Sequence, residues 1–334
     1  MKKLFKQSAI SIANQFGPHR LSGFGNDPQL WILMYHRILP REDIRYRLEE
    51  PGMIVTPDTF AMHLRQLKLH FDVMDLNEWL TLRAAGKPIP LRACAITFDD
   101  GWHDNYEYAL PVIKQEKTPI TLFAVVEKIA TDFQFWPNLV SALLASNALP
   151  TMLKNSVFKH ALQQLPKHSD TDNPEYMAAA INSLKQASDA DIFSALEAIE
   201  WQKHLNFDLP RGLMNWEEIQ VMANSGLVKL GSHTCNHKRL NANLPEPELI
   251  HEIIDSKKIL SEKSANNVNI FCFPNGDYHT LALDTVKKTY TAAVTTKRGI
   301  VKKNTPAHQL CRIGLHEHIS NTPRLLGARL SGWV

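Results

Sequence analysis

Two adjacent carboxylates, Asp99 and Asp100, stand in the stretch Thr97-Phe-Asp-Asp-Gly101, directly after the apolar run Ala93-Cys-Ala-Ile96. Neighbouring carboxylates repel each other and are costly to desolvate. Either both lie in water, or a positive group sits between them. A second polar cluster, Gly231-Ser-His233-Thr-Cys-Asn-His237, follows another apolar run. Imidazoles at i and i+4 share one face if a helical turn begins there. Two imidazoles and a carboxylate form a divalent-metal ligand set that leaves positions for water. The competing readings are a solvated turn at Asp99-Asp100 and a chance histidine pair. The long interval between Asp100 and His233 rules out a local site, so only the fold can bring these residues together.

The elements that must do this are short. Trp31–Tyr35, Phe71–Leu76, Cys94–Phe98, Pro119–Val126, Gly226–Leu230, Val268–Phe273, Tyr290–Thr295 and Gln309–Ile313 read as buried strands. Helical patterning separates them. One helix runs from Thr56 to about His70, with Pro57 and Asp58 in its first turn. A short one is capped by Asn77, and others span about His103 to Glu116, Asn215 to Asn224, Glu246 to Lys263 and Leu281 to Lys288. The alternation predicts an α/β chain with a parallel sheet closed as a distorted (β/α) barrel of seven or eight strands. Active sites of such barrels lie at the C-terminal strand ends, where both polar clusters stand.

One segment breaks this rhythm. Residues 137–207 carry helical periodicity (Leu139, Leu143, Leu144; Ile192, Leu196, Ile199) and a polar loop, His168 to Pro174, without a strand. They read as a helical insertion after the fourth strand-like run, serving as lid, substrate wall or structural elaboration. The expected organisation is a basic amphipathic segment over 1–29 and a barrel over 30–334 that includes this insertion. In the first segment Phe5, Ala9, Ile12 and Phe16 share a helical face near Lys2, Lys3 and Lys6. That face suits either an anionic membrane surface or the protein's own body.

Composition adds bounds. With 334 residues, 44% hydrophobic and 21% charged, the chain can bury a large core, and a net charge of +3 does not call for nucleic acid. From Lys287 onward nine basic residues, Arg312, Arg324 and Arg329 among them, face the single acid Glu317. They read as a solvated basic face or a surface for an anionic ligand or lipid. Cys94, Cys235, Cys272 and Cys311 form no CxxC pair and read as buried free thiols, which suits a reducing compartment. No cleavable signal or bilayer-spanning stretch is evident, so the expected location is cytoplasmic or peripheral to the inner membrane.

Thr97–Gly101 and His233-Thr-Cys-Asn-His237 together resemble the first two motifs of the polysaccharide deacetylase family, the NodB-homology or carbohydrate esterase family 4 group. Phe271-Cys-Phe-Pro-Asn-Gly276-Asp-Tyr278 resembles the third, and Met34-Tyr-His36-Arg-Ile is similar to the opening strand of an exopolysaccharide-type branch. The resemblance spans roughly residues 30–135 and 210–315. It implies metal-dependent hydrolysis of an N-acetyl group on a sugar, with a metal-activated water attacking the amide carbonyl. By motif match, Asp100, His233 and His237 bind one divalent ion, most readily Zn2+ with Co2+, Ni2+ or Fe2+ also suited, and Asp99 is the general base. The acid is His36, with His316 in Leu315-His-Glu-His318 as the alternative. Pro274, Gly276, Tyr278 and Trp102 are candidate substrate contacts, Phe135 and Trp136 further sugar-stacking rings. Cys272 occupies the place where the family commonly carries an arginine against the base, and Arg312 is the residue that could replace that charge. Lys238 stands where proline is common. The implied partner is an N-acetylated glycan or lipid-linked precursor. Competing functions are deformylation or another amide hydrolysis on the same scaffold, and a non-catalytic glycan-binding barrel.

Overall fold

The computed structural model describes residues 2–17, 19–20, 27–165 and 173–333, with side chains from residue 7 onward. Seven of the apolar runs become parallel strands: β1 (Gln29–Tyr35), β2 (Arg92–Phe98), β3 (Ile120–Ala124), β4 (Val228–Ser232), β5 (Ile270–Cys272), β6 (Ala292–Arg298) and β7 (Leu310–Gly314). Each pairs with its successor in the chain, and β7 pairs with β1, closing a ring. Two short strands flank it: Asp72–Val73 runs parallel to β2, and Val301–Lys302 antiparallel to β1.

The barrel therefore has seven strands, not eight, because the run from Phe71 leaves the sheet early. Asp75 ends it by accepting the Glu78 N–H at 3.0 Å, so Asp75 rather than Asn77 caps the following helix. In that helix (Leu76–Ala84), Leu76, Trp79 and Leu80 share a face and join Leu30, Ile32, Ala95, Phe123, Ile270, Val294 and Leu310 in one core cluster. Gly231 makes room for the largest of these strand residues. A Cβ there would lie 2.4 Å from the Phe123 ring.

Helix α1 (Lys2–Phe16) packs along α2 (Pro323–Leu330) at the other end of the chain. The contact is close because Gly327 has no side chain; a Cβ there would lie 1.9 Å from Asn14 Oδ1. Ala13 is buried, whereas Ile12 and Phe16 are 54% and 51% exposed, so the expected apolar face is not the one that packs. The side chains of Lys2, Lys3, Phe5 and Lys6 lie outside the described residues. No helix among the described residues is long and apolar enough to cross a membrane.

Contacts divide the chain into two compact units, the barrel unit (1–38, 55–131 and 213–334) and a smaller one (39–54 and 132–212). The smaller unit is helical and has its own core, built on Leu139, Leu143, Phe158, Ile181, Ile192 and Leu196. Phe135 packs on Phe133, and Trp136 is buried with its Nε1 donating to Asp189 Oδ1 at 3.1 Å. Asn173 caps Pro174–Leu184; positions 168–172 of the expected polar loop lie outside the described residues.

Candidate active site

Strand register sets one level for the reactive side chains. Tyr35 is paired with Phe98, and Ala124 with Ser232. One residue further on, the Asp99 N–H donates to Tyr35 O at 3.0 Å and the His233 N–H to Ala124 O at 2.9 Å. His36, Asp99 and His233 thus emerge together at the C-terminal mouth of the barrel.

The two aspartates then diverge. Asp100 takes a left-handed backbone (φ 76°), which aspartate tolerates better than most residues, and Gly101 follows at φ 85°. This turn separates the two carboxylates. Asp100 Oδ2 accepts a hydrogen bond from Trp102 Nε1 at 2.8 Å. Its Oδ1 is buried and has no hydrogen-bond partner. It faces His233 Nε2 at 3.3 Å and His237 Nε2 at 3.5 Å. A buried, orphaned carboxylate oxygen between two ring nitrogens is the arrangement a cation would complete.

The imidazoles are pre-set for that task. His233 Nδ1 lies 2.8 Å from the Cys272 carbonyl, which can only accept, so Nδ1 carries the hydrogen and Nε2 is directed at Asp100. The HxxxH residues do not share a helical face as expected. They lie in a loop with left-handed backbone at Thr234 (φ 68°) and His237 (φ 60°), held by the His237 N–H donating to Thr234 Oγ1 at 2.9 Å. Glu252, fully buried, secures the same loop by accepting from Asn236 N at 2.8 Å and Asn236 Nδ2 at 3.0 Å.

The charges are strongly coupled. Burial opposes ionisation of Asp100, but the His233 hydrogen and His237 outweigh it and hold the carboxyl well below its usual range. Burial likewise opposes charge on His233, yet Cys272, Asp100 and Asp99 raise its pKa well above 6.5. For His237 burial wins and leaves it at about 4. A cation bound between these groups would compete with a proton on His233.

Asp99 lives elsewhere. Arg312, on β7, grips it with Nη1 on Oδ1 and Nη2 on Oδ2, both at 2.7 Å. The guanidinium also donates to Thr295 O (2.9 Å), Thr97 Oγ1 (3.1 Å) and Cys272 Sγ (3.2 Å). Burial would raise the Asp99 pKa, but the Arg312 charge and hydrogen bonds bring it below the usual value. Arg312 is therefore not part of a solvated basic face; it is 1% exposed. His36 Nε2 stands 3.8 Å from Asp99 Oδ2, with its side chain 18% exposed. His316 makes no such approach. Its ring neighbours His318 at 6.3 Å, and its Nδ1 is buried without a partner.

The expected sugar contacts divide. Trp102 is 2% exposed, with the Arg37 guanidinium 4.0 Å over its ring, so it orients Asp100 and is not open for stacking. Arg37 in turn pairs with the fully buried Asp104. Sequence reading missed this chain of support, although Arg37 adjoins His36 and Trp102 adjoins the Asp-Asp-Gly turn. Pro274 is buried, and Gly276 (φ 74°) lies so close to Thr296 that a Cβ would be 2.1 Å from its Oγ1. Tyr278 is half-buried against Phe273, and its hydroxyl accepts from Gln309 Nε2 at 2.8 Å.

The model of one protein family, described as polysaccharide deacetylase, matches residues 87–294. The chain belongs to the polysaccharide deacetylase family. As a polysaccharide deacetylase family member it is a hydrolase of carbon–nitrogen bonds in linear amides. The protein YxkH of Bacillus subtilis (strain 168) is 22% identical over 296 residues, which cover 88% of this chain and 74% of that protein. A poly-beta-1,6-N-acetyl-D-glucosamine N-deacetylase of Staphylococcus aureus (strain MRSA252) is 27% identical over 181 residues, 52% of this chain and 59% of that enzyme. The match thus spans less than two thirds of the staphylococcal enzyme's length. The Streptococcus pyogenes deacetylase PplD, solved in complex with acetate, shares the fold with a TM-score of 0.59 at 18% identity, over 90% of this chain and 97% of that one. IcaB from Ammonifex degensii does so with a TM-score of 0.56 at 17% identity, over 90% and 97%.

Proposed function

We propose that this chain is a metal-dependent N-deacetylase that hydrolyses the acetamide of an N-acetylated glycan. The division of labour between adjacent aspartates carries this reading: Asp100 Oδ1 is orphaned between two imidazoles, and Asp99 is clamped by Arg312 within 3.8 Å of His36. A divalent cation held by Asp100, His233 and His237 would supply Lewis acidity for the amide carbonyl and acidify a water near neutral pH. The oxygen and nitrogen donors suit Zn2+, and also Co2+, Ni2+ and Fe2+. Asp99 accepts the proton of the attacking water. Its lowered pKa keeps it ionised but makes it a weak base, so it suits a water that is already acidified. His36, 3.8 Å from Asp99 with its side chain 18% exposed, donates the proton that the leaving amine needs. Arg312 fixes the Asp99 plane through two parallel bonds, a geometry that lysine cannot reproduce.

The substrate class follows from the family and from the staphylococcal relative, whose name specifies a polymer of N-acetylglucosamine. We take an N-acetylated exopolysaccharide or cell-envelope glycan, or its precursor, as the substrate here. The test is acetate release from a panel of such glycans by the wild type and by Asp99→Asn, with metal content measured on both. The variant should retain its metal and lose acetate release; full activity at unchanged metal content would sink the mechanism.

A further inference from the structure

The loop that carries His233 and His237 also borders a second group of donors. Cys235 lies between those histidines in sequence, and one donor atom each of Glu127, Cys235 and His251 lie within 4.8 Å of one another. The backbone brings the first two together, since the Glu127 N–H donates to Cys235 O at 3.0 Å. His251 comes from the wide turn His251–Asp255 within the following helical segment.

Two of the donors are aimed by neighbours. Asp255 Oδ2 lies 2.8 Å from His251 Nδ1, which directs Nε2 towards Glu127 Oε1 at 3.0 Å. Asn236 Nδ2 donates to Glu127 Oε2 at 2.9 Å, leaving Oε1 for the imidazole side. A carboxylate on the far nitrogen of a histidine is the support that metal-ligating imidazoles use. Charge points the same way. Three carboxylates, Glu127, Glu252 and Asp255, surround one imidazole. Glu252 is fully buried and bonded only to Asn236, with no lysine or arginine paired to it among the described residues. The side chains of His251 and Glu127 are 39% and 34% exposed, which gives an ion a way in.

We propose that Glu127, Cys235 and His251 form a second cation site, which takes a thiophilic divalent ion such as Zn2+ or Co2+. A sulfur, a nitrogen and an oxygen donor select such ions over Mg2+ or Ca2+, and the open side leaves a fourth position for water. Because Cys235 is bracketed by His233 and His237, an ion at this site stiffens the loop that presents both. Whatever effect an ion at one site has on the other is then reciprocal, as linkage requires. The proposal stands apart from the deacetylase reading, since it concerns different donors and is read without substrate.

Titration of the full chain with Co2+ tests it. Two equivalents are expected to bind, the second with sulfur-to-cobalt charge-transfer absorption. Cys235→Ser should remove that absorption and one equivalent, whereas Cys272→Ser, which alters the thiol beside His233, should keep both. Asp255→Asn, on a half-exposed side chain, should weaken the second equivalent by roughly 10–100-fold. A single equivalent without sulfur absorption in the wild type would overturn the proposal. So would absorption that survives Cys235→Ser or vanishes with Cys272→Ser.

Discussion

Two aspartates that share a peptide bond have opposite surroundings, and a single left-handed residue makes the difference. Asp100 at φ 76° turns its carboxylate to the imidazoles, while Asp99 keeps the strand direction and meets Arg312. The motif types were legible in the sequence because Asp99-Asp100 and His233/His237 stand together at predicted strand ends and resemble paired family motifs. The source of the positive charge on Asp99 was legible only as a possibility, since Arg312 lies in a basic tail whose other members read as solvated. Its three further acceptors, Thr97 Oγ1, Cys272 Sγ and Thr295 O, come from β2, β5 and β6, which no local pattern reveals. The choice of acid also belongs at this scale. His36 approaches Asp99 to 3.8 Å, whereas among the described residues His316 forms no ion pair with either aspartate. Replacing His36 with alanine should lower turnover by roughly 10²–10⁴-fold, with a much smaller effect for His316→Ala. Steady-state rates on one N-acetylated substrate decide between them, and a larger loss at His316 would reverse the assignment.

At the scale of elements, β1 and the helix behind it show how a buried polar group supports the site. His63, on the helix Pro57–His70, lies 3.0 Å from the Tyr35 hydroxyl and 2.7 Å from Ser320 O. The carbonyl can only accept, so Nε2 carries the hydrogen and Nδ1 accepts from Tyr35, the residue before His36. A second proton finds no place, and burial lowers the His63 pKa from 6.5 to about 4. As pH falls, the unfolded chain is protonated first. The stabilisation is therefore fully present above 6.5 and is lost as pH falls through about 4. The shift corresponds to about 3 kcal/mol. His63→Gln should flatten the fall in Tm across this window, and melts showing equal slopes for both proteins would refute the assignment. Strand and helix positions around this pair followed from apolar periodicity. The length of the strand expected over Phe71–Leu76, which is cut to Asp72–Val73, did not, because a single Asp75 side chain decides where it ends.

The whole molecule gathers a site whose parts no segment holds alone. A cation on Asp100, His233 and His237 would tie the end of β2 to the end of β4. An ion that binds only the folded chain stabilises it by mass action, by about 2.7 kcal/mol at a free concentration 100 times Kd. Adding Zn2+ to chelator-treated Cys235→Ser protein, which keeps only this ligand set, should therefore raise Tm, and adding Asp100→Asn should remove most of the rise. Uptake displaces the proton on His233, whose pKa is raised, so affinity should fall as pH falls. A Tm unmoved by Zn2+ in the Cys235→Ser protein, measured by calorimetry, would argue against this ligand set. By itself, the sequence determined which chemistry the residues could perform. It also determined that strands and helices alternate, since residue type and apolar period are local properties. Tertiary structure decided the rest: seven strands rather than eight, a loop rather than a helical turn under His233 and His237, Trp102 as a support for Asp100, and Arg312 as the partner of Asp99. Each of these depends on which side chains meet across the closed sheet, and closure is set by long-range pairing that no short stretch of sequence records.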